Sequence, residues 1–207
     1  MNVRKFHRLN ALFLTAFIVL HMVTHLSGLW GIEAYNATQK ILRLLYRNPV
    51  VEPLLLASAV AQIVLGAGLL TKAIRRGIRG VWARIQVVSG GIFLLFFVQH
   101  LTALVLVRWV DGMNTNFYWP ASVMRDAPLV WYFTPYYFLG VSALFVHIGC
   151  ATRQQMIRVG HRRSAGHVFW AITAVGIILA VQIDSMLLGV FFDIQLPDAW
   201  IRYSGTD

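Results

Sequence analysis

FLTAFIVLHMVTHLSGLW, residues Phe13 to Trp30, decides the fold. No charged side chain interrupts it, and a backbone in such surroundings must satisfy its own hydrogen bonds, so the stretch predicts a bilayer-crossing helix. Two imidazoles, His21 and His25, sit four residues apart near its end and therefore share a face. Polar groups inside hydrocarbon are costly and mark functional positions. A second apolar run, Val87 to Val107, carries a single histidine, His100, at a comparable distance from its own start.

The whole chain is of this character. Of 207 residues 58% are hydrophobic and 13% charged, and the mean hydropathy is +0.65, which reads as an integral membrane protein of one domain. The net charge of +10 does not point to nucleic acid, because the basic residues lie in short clusters between apolar spans. A lone cysteine, Cys150, excludes an internal disulfide and every paired-cysteine motif, covalent haem attachment included. The first apolar run is long enough to span, and no small-residue cleavage site follows it, so no cleavable signal peptide is expected.

Five spans are predicted, at about residues 9–31, 53–72, 86–107, 129–151 and 167–191, giving an all-α bundle. Residues 32–52 intersperse Ala34, Ile41, Leu42, Leu44 and Leu45 with Lys40, Arg43 and Arg47, the pattern of a short amphipathic helix. Residues 111–128 read as an ordered loop or short interfacial helix. Twelve of the eighteen Lys and Arg residues fall on the side bearing the N-terminus, which predicts the N-terminus inside and the C-terminus outside. Trp30, Trp82, Trp109, Trp131 and Trp170 fall at or near span ends, as an aromatic belt requires.

Depth follows from the helical rise. The first and third spans run in the same sense, and at about 1.5 Å per residue His25 lies roughly 24 Å from the inner surface and His100 roughly 21 Å. Two imidazoles level on neighbouring helices meet the condition for holding a haem iron between them. His21, one turn deeper on the same face, is the rival ligand. Gly28, Gly90 and Gly91 either admit a macrocycle or serve helix packing.

Several pieces of the chain, in order, carry a family resemblance: HRLNALF before the first ligand helix, THL around His25, EAYNATQKIL, RIQVVSGGIFLLFFVQHL leading to His100, and YYFLGVSALFVH leading to His147. From Phe6 to about Arg153 the chain resembles the five-helix, single-polypeptide cytochrome b membrane anchor of bacterial succinate:quinone oxidoreductases, the succinate dehydrogenase and fumarate reductase family. The resemblance implies haem b, electron exchange with quinone, flavoprotein and iron-sulfur partner subunits, and a place in the bacterial cytoplasmic membrane. Such anchors commonly bind two haems, with a ligand from each of the first four helices. Matched by position, His25 and His100 fall on the ligands of the outer haem, and His147 on the fourth-helix ligand of the inner one. The second-helix ligand falls on Gln62, which is not a usual haem ligand, so one haem is expected. His7 and His167 lie near the inner edge as possible replacements.

Other polar residues carry weaker expectations. Asp184, roughly 25 Å from the inner surface by the same rise, is a candidate for a proton path or for a hydrogen bond to a ligand imidazole. Arg108 at the outer end of the third span suits either a haem propionate or a lipid headgroup. Glu33 and Tyr35 face either a quinone head group or solvent. The chain has no flavin motif and no cysteine set for an iron-sulfur cluster, so any dicarboxylate chemistry must lie in partner subunits. His21 and His25 resemble half of a metal-binding helix, but no HExxH motif completes it. A haem-binding sensor or carrier, and a haem-free anchor, remain the readings from other classes.

Overall fold

In a computed structural model, which describes residues 2–205, helices account for almost all of the chain. They are α1 (Val3–Ser27, prolonged by a 3-10 turn, Gly28–Trp30), α2 (Ile32–Tyr46), α3 (Val51–Arg75), α4 (Val81–Val105, prolonged by a π-turn, Leu106–Val110), α5 (Tyr118–Ser122), α6 (Leu129–Arg158), α7 (Arg162–Leu187) and α8 (Asp198–Ile201). No strand occurs among the described residues. Five helices, α1, α3, α4, α6 and α7, are long and apolar enough to cross a bilayer, which marks a multi-pass membrane protein. The predicted spans fall on these five. Their N-terminal-side ends reach further than predicted, because Arg4, Lys5, Lys72, Arg75, Arg153 and Arg158 are good helix formers whose stems extend along the apolar surface. The fifth ends four residues early, at Leu187 rather than 191, where the chain turns through Gly189 at φ +79°.

Each span touches the next around a closed ring: α1 packs on α3, α3 on α4, α4 on α6, α6 on α7, and α7 returns to α1. The α6–α7 and α4–α6 contacts are the most extensive. They are built from aromatic knobs seated on glycines. Phe96 of α4 fills the notch at Gly140 of α6, Phe145 of α6 fills the notch at Gly176 of α7, and the Phe169 ring of α7 would lie 3.1 Å from any Cβ added at Gly149. Backbones approach closely where such small residues stand, which is how membrane helices gain dispersion contact when lipid is as apolar as they are. In contrast, only 6% of the α3 and α4 span residues are buried. Their apolar side chains, such as Val64 and Leu95, face outward to lipid.

The end of the bundle away from the N-terminus is lidded. Gly31, at φ +110°, turns the chain sharply from α1 into α2. The loop carrying α5 tucks beneath α2, with Phe117, Ala121 and Ser122 fully buried and Met124 nearly so. The Asn36 side chain accepts the Phe117 N–H at 3.0 Å, and Gln39 donates to the Thr115 carbonyl at 3.3 Å. The expected amphipathic helix is therefore present. Tyr35 and Gln39 form the inward face, while Ile41, Leu44 and Leu45 are 65%, 76% and 59% exposed and stand outward.

Candidate functional site: a histidine cluster under the lid

Three imidazoles converge at the lidded end. His21 and His25 share a face of α1, and their Nε2 atoms lie 3.3 Å apart. The His21 ring is 4.7 Å from that of His25 and 6.3 Å from that of His100 on α4, centre to centre. His21 thus touches both histidines that the sequence pairs. Aromatic side chains wall the cluster: Phe17 stacks on His21, Phe96 stacks on His100, Trp119 lies 5.6 Å from His100, and Tyr35 lies 5.5 Å from His25. The lid brings two of these walls. Tyr35, open between quinone and solvent in sequence terms, is only 2% exposed; burial pushes its hydroxyl well above the usual tyrosine range, so it stays neutral.

The backbone carbonyl of His25 accepts a hydrogen bond from Gln182 of α7 at 3.4 Å. Its ring Nδ1 is buried without a hydrogen-bond partner, and so is Oδ1 of Asp184. Asp184 is 7% exposed. No hydrogen bond joins the Asp184 carboxyl to an imidazole. Gly28 serves packing, since a Cβ there would collide with Met186 and come within 3.2 Å of Tyr35.

His147 lies elsewhere. Its Nδ1 is 3.1 Å from the Gln86 carbonyl, and its ring occupies the notch at Gly90, 2.8 Å from where a Cβ would stand. That puts it about ten residues down α4 from His100, about 15 Å at the helical rise. Gln62 is held by Asn10, whose amide donates to it at 2.8 Å, and lies 3.4 Å from Nε2 of His7. Of the seven histidines, His21, His25 and His100 lie under the lid, and His7 and His147 lie nearer the N-terminal end.

Arg108 is engaged. Its Nη1 meets Oε1 of Glu52 at 2.5 Å, and its guanidinium lies 4.9 Å from the Trp109 ring centre. Sequence reading did not single out Phe96, Trp119 or Gln182, because nothing in a one-dimensional string sets an aromatic that walls a site apart from one that fills a core. The buried pairing of residue 36 with 117 likewise has no periodic signal.

The donor set fits a haem. It offers neutral-type nitrogen donors from two different helices and aromatic walls, with no thiolate and no carboxylate among the touching rings. The 6.3 Å separation of ring centres belongs to His21 and His100, the rival pair, and His21 stands in contact with His25. No group of three or more His, Cys, Asp or Glu suited to a bare metal ion occurs among the described residues. Compared with known families, curated proteins and solved structures, the chain matches none.

Proposed function

We propose that this protein is a membrane-bound haem b electron-transfer subunit that exchanges electrons with quinone, of the kind that anchors succinate dehydrogenase or fumarate reductase to the bacterial cytoplasmic membrane. The observation that carries the reading is the convergence of His21, His25 and His100 from two spans into one aromatic-walled cluster. His100 and His25 would hold the haem, with His21 as the neighbouring ring that competes for the place. The haem, when bound, would supply a one-electron carrier. The chain's own residues do the rest. Phe17, Phe96 and Trp119 exclude water from the imidazoles, and Gln182 fixes the backbone of His25. The buried carboxyl of Asp184 is the group nearest in kind to a proton donor or acceptor for quinone chemistry within the bundle.

The charge asymmetry supports an N-terminus in the cytoplasm and a lidded end outside. Flavoprotein and iron-sulfur subunits would then dock at the N-terminal end, where His7 and His147 lie. With Gln62 in the place of a ligand, no second haem is assigned there.

One observation favours a second reading. A third imidazole in contact with the presumed pair allows ligand exchange, as a haem sensor or carrier needs. Optical spectroscopy separates the two. A reversible, sharp reduced α-band, generated by a quinol and unchanged by carbon monoxide, is expected of the electron carrier; carbon monoxide binding to the reduced protein would move the assignment to the sensor.

A further inference from the structure

A cleft of about 440 Å³ opens at the lidded end, lined by Arg43 of α2 and Arg47 just past its end, Arg108 and Trp109 at the end of α4, and Met113 and Asn114 of the following loop. Its charges do not balance. Glu52 is the carboxylate that two of the guanidiniums share, through one oxygen, at 2.5 Å from Arg108 and 4.0 Å from Arg47. Arg43 is held by neutral acceptors, Asn114 Oδ1 at 2.8 Å and the carbonyl and hydroxyl of Thr115 at 2.5 and 3.0 Å. Burial, together with the nearby Arg47, pulls its affinity for a proton below the usual arginine range. Three guanidiniums against one carboxylate, in a partly buried cleft, make a site for an anion with several oxygens.

The surroundings specify which anion. Along α2 and just past its end the basic stripe of Lys40, Arg43 and Arg47 is flanked by the exposed apolar stripe of Ile41, Leu44 and Leu45, and Trp109 and Val110 are exposed across the cleft. A helix with a core face, a cationic edge and an apolar edge suits a position at the headgroup level of a bilayer.

We propose that the cleft binds the phosphate of an anionic phospholipid, with Arg43 and Arg47 on its oxygens and the acyl chains against Leu44 and Val110. Arg108, held by Glu52, forms the floor. This site lies beside the histidine cluster, shares no histidine with it and does not depend on haem.

The test uses the purified full chain, stripped of lipid in detergent, with binding read by native mass spectrometry and by the shift in Tm. Phosphatidylglycerol should bind and raise Tm, phosphatidylcholine should do so at least about tenfold more weakly, and the double variant Arg43→Gln/Arg47→Gln should lose about tenfold or more of the phosphatidylglycerol affinity. Arg47→Gln alone, at the more exposed rim, should show part of the loss if the double variant does not fold. Arg75→Gln/Arg76→Gln at the opposite end should bind as the unaltered chain does. Equal binding of the two lipids, or full competition by millimolar inorganic phosphate, would overturn the proposal. So would a double variant that keeps its lipid and loses only haem.

Discussion

The residues that matter most are the imidazoles of His21 and His25, four apart on one helix face, and the choice between them is made by what surrounds each. His25 is the more enclosed, with its backbone fixed by Gln182, the Tyr35 ring beside it and a buried Nδ1 that has no partner. His21 stacks on Phe17 and touches both other histidines. If His25 is the ligand, His25→Ala abolishes the haem spectrum whereas His21→Ala keeps it, with at most a shifted reduction potential, as a redox titration would show; the reverse pattern assigns the ligand to His21. At this scale the sequence was informative for the histidines, because an imidazole in an apolar run stands out by its cost. It left Tyr35 open between a quinone head group and solvent, because its burial depends on a lid formed by residues some eighty positions away.

At the scale of elements, the spans follow from hydropathy alone, and their ends shift only where basic stems prolong a helix or Gly189 stops one. How they pack was not legible, since the seats of Phe96, Phe145 and Phe169 are specified by glycines that look alike in sequence. The seats are nonetheless unequal in consequence. Gly140→Val or Gly176→Leu places atoms where an aromatic ring already stands, and overpacking of this kind costs about 1–3 kcal/mol, to be read as a lower Tm in detergent. Gly68→Ala, with nothing within 4 Å of the added Cβ, should leave stability unchanged or raise it by about 0.5–1 kcal/mol through helix propensity. The amphipathic helix α2 shows the opposite failure. Its existence was evident from the interspersed charges, but its apolar residues face outward, because in a membrane protein apolarity marks the lipid side as readily as the core.

For the molecule as a whole, a closed ring of five spans puts the His21, His25 and His100 cluster under the lid and His7 and His147 towards the N-terminal end. The proposed orientation rests on the twelve-to-six distribution of basic residues between the two ends. In intact cells, cysteine introduced at the exposed position Asp198 should be labelled by a membrane-impermeant maleimide, and cysteine at the exposed Arg79 should react only after lysis. The native Cys150, 2% exposed, contributes little background. Reversed labelling would invert the assignment of the outer side and move the histidine cluster to the cytoplasmic leaflet.

The central claim, one haem clamped under the lid by imidazoles from two spans, is tested most directly by haem stoichiometry. Pyridine haemochrome analysis of the chain purified with haem supplied should give one haem per polypeptide, lost in His100→Ala and retained in His147→Ala. A chain that takes up no haem, or one that loses it with His147→Ala and keeps it with His100→Ala, would contradict the account.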